Sequence, residues 1–458
     1  MKYSRSAIRF KAHKLPALRF EDQQLTSFSG LVVLQALFFR LQLKERLRAC
    51  FRHLAGRPIY GHARIVLQLV VHLLLGYREL QDSRYYRDDP LVKRVLGANR
   101  LPDVATISRA LAQADERSVE NLRRAVRELV LERLAALSLN RVSLDFDGSV
   151  LSTHRRAEGT AAGYNKKKKG ARSYYPLFCT LAQTGQVFDV LHRSGNVHDS
   201  NGARAFILAC IDEVRRVLPR ARIEVRMDAA FFSDEIVGEL HRQGIEFTIS
   251  VPFERFTALK GMIEGRQRWR RFNDELSYFE TSWKPKVWDR RFRFVFVRKK
   301  VKQQQKGPVQ LDLFIPYEYG YQFKVIVTNK QLGAKKLMAF HNGRGSQEGI
   351  LGELKSQVQA DYVPVRGWLG NQIWLLAGML AHNLVREMQL ATQPVVRGTT
   401  ERRATLWIFE QVGTLRRNLL QRAGRLTSPQ GELTLTMGAN RAARDQMLQY
   451  LRGLRKTA

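Results

Sequence analysis

The stretch Arg141-Val142-Ser143-Leu144-Asp145-Phe146-Asp147-Gly148-Ser149 decides the fold. Val142, Leu144 and Phe146 alternate with Ser143, Asp145 and Asp147, a period of two that predicts a strand, and Gly148-Ser149 ends the regular run. Upstream, from about Gly30 to Leu137, the spacing is helical: Leu67, Val70, Val71 and Leu74, then Ala125, Val126, Leu129 and Leu134, recur at three and four. The change of period near residue 140 marks entry into a sheet. Within the helical region Pro102, Asp103, Thr106, Ser108 and Arg109 open a short capped helix carrying Ile107, Leu111 and Ala114. That layout suits a DNA-docking helix or a plain member of a bundle.

Downstream, strands are expected at Ser173 to Ala182 and Gln186 to Leu191, with Thr184-Gly185 as the turn between them. A helix follows from Ala203 through Val217, capped by Asp199 or Ser200 and stopped by Pro219. Ile223, Val225 and Met227 then alternate with Glu224, Arg226 and Asp228, before an amphipathic helix to about Arg242 and a strand from Phe247 to Val251. A meander followed by strand and helix alternation indicates a mixed α/β sheet. From about Pro252 to Tyr321 aromatic and basic segments interrupt this rhythm. Phe292, Phe294 and Phe296 predict a β-rich insertion, and Lys299 to Lys306 a hairpin tip ending at Gly307-Pro308. The core resumes at Phe323 to Val327 and turns helical at Trp368 to Met388; Val396 to Ala458 is an arginine-rich tail (Arg402, Arg403, Arg416, Arg417, Arg422, Arg425) expected mostly on helix. The expected segments are therefore 1–139 (helical, DNA-binding), 140–251 and 322–395 (core), 252–321 (insertion) and 396–458 (basic helical tail).

The chain has 458 residues, with 77 Lys plus Arg against 42 Asp plus Glu, a formal charge of +35, and 44% hydrophobic residues. That composition supports a sizeable core, at roughly 150 residues per domain, and excludes disorder as the main state. The sustained positive field points to a polyanion, with nucleic acid first. Cys50, Cys179 and Cys210 contain no CxxC pair and are too few for a disulfide or zinc framework, so a reducing compartment is expected. The most apolar stretch, Ile65 to Leu75, is far short of the roughly 20 residues that span a bilayer, and Met1 to Lys14 is basic without a signal-peptide core. A soluble cytoplasmic protein without membrane attachment follows; a transit peptide is the alternative reading of the start.

Three acidic residues fall where chemistry is possible. Asp147 and Asp228 end core strands on the parity opposite the apolar residues, and Glu348 starts a helix after the insertion. If the two strands are neighbours, the carboxylates converge. Oxygen ligands of this kind suit Mg²⁺, and two such ions about 3.5 to 4 Å apart serve phosphoryl transfer. The plainer readings are a turn residue for Asp147 and a helix cap for Asp228. Asp145 shares the parity of Asp147, and Asp234 and Glu353 are not excluded by pattern. If Ser346 caps its helix, Glu348 lies in the first turn and Lys355 two turns along the same face, with Arg344 just outside: a carboxylate between two cations, or a solvated charged helix.

His341-x-x-Arg344-x-x-x-Glu348-x-x-x-x-x-x-Lys355 resembles the Tyr-Arg-Glu-Lys signature of DDE transposases from bacterial insertion sequences. Leu144 to Ser149 resembles their first-aspartate strand, and Arg226-Met227-Asp228-Ala229-Ala230-Phe231-Phe232-Ser233 their second. From Gly76-Tyr77-Arg78-Glu79-Leu80 through Ala381-His382-Asn383-Leu384 the text is most similar to the 1380 group. The resemblance implies a ribonuclease-H-like α/β core with a β-rich insertion, flanked by an N-terminal helical region and a C-terminal helical tail. It implies two Mg²⁺ or Mn²⁺ ions held by Asp147, Asp228 and Glu348, and Arg344 and Lys355 as phosphate contacts. His341 stands where the family has Tyr; an imidazole can still bond a phosphate and would add a modest pH dependence.

The implied activity is cleavage and strand transfer at the terminal inverted repeats of an insertion sequence. The partners would be the element ends and target DNA, bound by a dimer or higher oligomer at the nucleoid. Lys166, Lys167, Lys168 and Lys169, with Arg172, follow the first aspartate strand and would track the DNA backbone, unless they form a solvated loop. Trp283 and Trp288 are candidates for base stacking or for core packing. A non-catalytic DNA-binding descendant and a ribonuclease-H-like nuclease without strand transfer are the rival readings.

Overall fold

The computed structural model describes residues 18, 20–21, 23–54, 56, 58–154, 156–163, 168–198, 201–300 and 320–455. Among the described residues, six α-helices precede the sheet: α1 (Leu31–Arg40), α2 (Leu43–Cys50), α3 (His62–Leu74), α4 (Pro90–Leu96), α5 (Val104–Ala112) and α6 (Glu116–Leu137). Aspartates start the last three. Asp89, Asp103 and Asp115 accept backbone N–H groups of the first turns, satisfying donors that the helix leaves open.

The central sheet contains, in chain order, β1 (Arg141–Gly148), β2 (Leu177–Leu181), β3 (Val187–Leu191), β4 (Arg222–Met227), β5 (Glu246–Val251), β6 (Arg270–Arg271), β7 (Leu276–Trp283), β8 (Phe292–Lys300) and β9 (Tyr321–Thr328). Among the described residues they lie in the order β6-β7-β8-β9-β5-β4-β1-β2-β3. β1, β4 and β5 run parallel, whereas β2 and β3 are antiparallel hairpin partners on the other side. This is the ribonuclease-H-like arrangement expected. The aromatic segment after Pro252 is not set apart from it: β7 and β8 extend the same sheet through β9, which pairs antiparallel with β5. Alternating Phe residues can join any open apolar edge, so their pattern could not say which sheet they complete.

The remaining long helices are α7 (Ala203–Val217), α8 (Asp234–Arg242), α9 (Thr257–Glu264), α10 (Ala334–Asn342), α11 (Gly345–Ser356), α12 (Trp368–Thr392) and α13 (Arg441–Arg455). One sheet face carries Val142, Leu144, Phe146, Val225, Met227 and Phe247 against Ile207 of α7 and Val237 of α8. The other face is buried too, yet polar: Ser143, Asp145, Glu224, Arg226 and Thr248 are all inaccessible to solvent. Helix α12 is buried along nearly its whole circumference, between α3 and α6, which explains a sequence apolar on more than one side. Asp199 and Ser200 lie outside the described residues; α7 begins after Gly202, whose positive φ of 72° suits glycine.

The tail differs from expectation. It ends in α13, but Gly424–Thr427 and Thr434–Met437 form a hairpin that also pairs with Leu25–Thr26. Of its arginines, Arg402 and Arg403 lie in irregular chain and Arg425 in a strand. Arg403 and Arg416 turn inward, to Glu224 and to the carbonyl of Leu74 respectively, because buried acceptors elsewhere in the fold need donors. No helix among the described residues is long and apolar enough to cross a membrane.

Candidate active site

The parallel register of β1 and β4 pairs Phe146 with Met227, so the next residues, Asp147 and Asp228, stand side by side on adjacent strands. Neighbouring strands lie about 4.8 Å apart, close enough for two carboxylates to address one site. Both aspartates are half-buried. Asp228 also accepts the Ala230 N–H at 3.0 Å, capping the turn Ala229–Phe231, so capping and a place in the site are compatible.

Long-range partners separate the alternatives that pattern left open. Asp145 is locked in a buried two-pronged ion pair, with Arg226 Nε 2.5 Å from Oδ1 and Nη2 2.7 Å from Oδ2. Glu353 is buried against Arg386 and accepts the Val412 N–H at 2.6 Å. Its carboxylate feels burial first, which raises the pKa, but His382, Arg386 and the Val412 N–H outweigh that and hold it at about 2. Asp234 is exposed in the first turn of α8.

Helix α11 is fastened along the end of β1. Arg344 Nη1 donates to Asp147 Oδ2 at 3.0 Å, Gln347 Nε2 to the Asp145 carbonyl at 2.8 Å, and Lys355 Nζ to Ser149 Oγ at 2.7 Å. The helix starts at Gly345 with Arg344 in the capping position, two residues earlier than a Ser346 cap requires; Ser346 Oγ instead donates to the Gly343 carbonyl at 2.9 Å. Glu348 remains in the first turn and is exposed. Among the described residues, no group of three His, Cys, Asp or Glu side chains stands close enough to hold a metal ion. The structure thus brings Asp147 and Asp228 together, with Arg344 across Asp147, and leaves Glu348 apart. The two carboxylates at adjacent strand ends are oxygen donors of the kind a hard divalent cation takes.

His341 is not a surface group. It is 1% exposed, with Nδ1 3.1 Å from Thr248 Oγ1 and Nε2 3.0 Å from Ser250 Oγ. Burial and then the nearby Lys324 and Arg344 charges push its pKa well below 6.5. Both ring nitrogens are committed to β5, so the expected phosphate contact and pH dependence do not fit its position: it docks α10 on the sheet. Lys166 and Lys167 lie outside the described residues. Lys168 and Lys169 are exposed, and Arg172 Nε donates to Thr160 Oγ1 at 3.0 Å. Arg172–Tyr174 pairs with Leu151–Ser152, so this basic loop hangs from the chain that leaves Asp147. Trp288 packs 4.8 Å from Phe232 and Trp283 5.1 Å from Phe294, ring centre to ring centre, within the aromatic core.

Three contributors were not singled out from sequence. Arg226 Nη1 donates to the carbonyls of Phe340 (3.0 Å) and Arg402 (2.8 Å), joining the strand pair to α10 and the tail. Gln347 ties α11 to β1. Lys324, on β9, lies in the field of Arg344 and Glu348; burial and Arg344 lower its pKa to about 8. Arg226 had a visible signal, since it shares the parity of Asp228, but Lys324 had none.

Paired carboxylates thus stand at parallel strand ends, bordered by cations, on a ribonuclease-H-like sheet. The family model described as "Transposase DDE domain group 1" matches residues 10–458, and the chain belongs to this family of DDE transposases, enzymes of DNA transposition. No curated protein matches it significantly. Among solved structures, it is similar to the piggyBac transposase synaptic complex with hairpin DNA, at 11% identity and TM-score 0.45 over 86% of this chain and 79% of that one. It is also similar to the Mos1 mariner paired-end complex with Mn, at 14% identity and TM-score 0.17 over 44% of this chain and 65% of that one.

Proposed function

We propose that Asp147, Asp228 and Glu348 hold two Mg²⁺ or Mn²⁺ ions, and that this site cleaves and transfers DNA strands at the terminal inverted repeats of an insertion sequence of the 1380 kind. The observation that carries this reading is the register placing Asp147 beside Asp228, with α11 fastened to the same strand by Arg344, Gln347 and Lys355. When bound, the ions supply an activated oxygen nucleophile and stabilise the leaving oxygen.

The chain's own residues do the rest. Arg344 and Lys355 hold phosphates of the cut strand: Lys355 exchanges a hydroxyl oxygen for a charge-assisted bond to phosphate, and Arg344 exchanges the Asp147 carboxylate for another anion. Lys168, Lys169 and Arg172, with Lys166 and Lys167, follow the backbone outside the site, where contacts position the duplex without reading sequence. The N-terminal segment 1–139, including the capped α5, recognises the repeat; 396–458 adds basic surface. An element has two ends to be joined, so two copies on the DNA are the minimum assembly, acting at the nucleoid in the cytoplasm.

Purified protein incubated with Mg²⁺ and labelled duplex carrying the repeats that flank its gene tests this reading. Joined products are expected; nicks alone would mean a nuclease, and a shifted but uncut band a non-catalytic binder. Asp147→Ala, Asp228→Ala and Glu348→Ala should each abolish cleavage while retaining end binding, and a variant that still cleaves fully removes its residue from the triad.

A further inference from the structure

The polar sheet face continues past the two aspartates. In register, Asp147 is followed by Asp228, then Ser250 on β5, then Ile326 on β9. Lys324 lies two residues beyond Ile326 on the same strand and therefore on the same face, toward the open end of the site.

Lys324 is half-buried. Its Nζ donates to Asn342 Oδ1 at 3.3 Å, a neutral amide, and among the described residues no carboxylate forms an ion pair with it. Other cations of this face are neutralised: Arg344 by Asp147, Arg226 by Asp145, and Lys330 by Glu224 at 2.8 Å. Placing an ammonium out of water beside a second cation, with only an amide oxygen for company, is costly unless an anion completes the site. Glu348 lies in its field yet outside contact.

We propose that Lys324 is a further phosphate-binding residue of the active site, taking a DNA backbone phosphate on the β9 side of the two aspartates. The proposal rests on the DDE reading of the site. A lysine suits this place because its ammonium is a compact point charge on a long stem, able to follow a phosphate without bidentate geometry. Asn342, at the end of α10, accepts from the ammonium in the absence of DNA. The site is thereby flanked by phosphate ligands of two origins, α11 and the sheet itself.

The test uses the full chain as wild type, Lys324→Met, Lys324→Arg and Asp147→Ala, with a labelled duplex carrying the element's terminal repeat. Lys324→Met keeps the stem's bulk and removes the charge. Its melting temperature should hold or rise, because an unneutralised cation has been removed from a half-buried place. Binding should weaken about tenfold, and the slope of log K against log salt should fall by about 0.9, one phosphate contact. Lys324→Arg should restore the slope. A methylphosphonate scan should find one position near the cleaved bond that penalises wild type and not Lys324→Met. A wild-type slope and binding in Lys324→Met would overturn the proposal, as would a lowered melting temperature with an unchanged slope. Equal cleavage by wild type and Asp147→Ala would instead sink the DDE reading, while the salt slope still judges Lys324.

Discussion

Arg344 reaches from the start of α11 to the end of β1, where its Nη1 lies 3.0 Å from Asp147 Oδ2. The guanidinium therefore occupies the carboxylate that a cation would need. Removing it as Arg344→Ala should tighten Mn²⁺ binding in the absence of DNA, read by paramagnetic resonance, about fivefold, the worth of a partly exposed ion pair of about 1 kcal/mol. The same variant should bind duplex DNA with a salt slope lower by about 0.9. Unchanged Mn²⁺ affinity would mean that Arg344 and the cation do not compete.

Glycines on either side of Arg344 have opposite meanings. A Cβ on Gly343 would stand 2.0 Å from the Arg402 carbonyl oxygen and 2.1 Å from Arg226 Nη1, whereas one on Gly352, inside α11, meets nothing within 4 Å. Gly343→Ala should lower the melting temperature and cleavage together. Gly352→Ala should raise stability by about 0.5 to 1 kcal/mol, as expected for an open helical site.

Asp145 and Arg226 are both fully buried, and each is the other's counter-ion. Arg226→Met should destabilise by about 3 to 5 kcal/mol, because Asp145 is left charged and unpaired. Arg226→Met combined with Asp145→Leu should recover much of that loss in denaturant titration. Cleavage should not recover with it, since the bonds from Arg226 to the Phe340 and Arg402 carbonyls are gone in both variants. Recovery of both together would remove the positioning role.

Acid should act in two stages. Burial lowers His72 to about 4 and His192 to about 3, and holds His341 well below 6.5. These groups bind protons more readily unfolded, so stability is full above about pH 6.5 and falls below it, by roughly 1.4 kcal/mol per pH unit for each histidine. Glu224 is raised by burial but held at about 2 by Arg403 and Lys330. Its contribution is present above the unfolded carboxylate range near 4.3 and is lost as pH falls toward 2. Glu224→Gln should flatten the second stage of an unfolding curve and leave the first. His341→Asn should leave the pH profile of cleavage between 6 and 8 unchanged.

Much of the architecture was legible because it rests on local periods. Alternation at two located β1 and β4, short apolar runs pointed to β5 and β9, spacing at three and four located α6, α7, α8 and α12, and parity alone put Asp147 and Asp228 on the non-apolar face. Those periods come from backbone geometry, which every residue feels through its immediate neighbours.

Partner choice does not. Asp145 and Asp147 have identical parity, and only Arg226 and Arg344, brought in by the β1–β4 register and by α11, separate the buried strut from the residue at the site. His341 was expected to bond a phosphate, but α10 seats it on Thr248 and Ser250. The sequence by itself determined the strands, the helices, the charge and the row of candidate acids. Tertiary structure decided which charges neutralise one another, that the insertion continues the sheet, and that Lys324 shares the face of the two aspartates, because those follow from contacts between residues far apart along the chain.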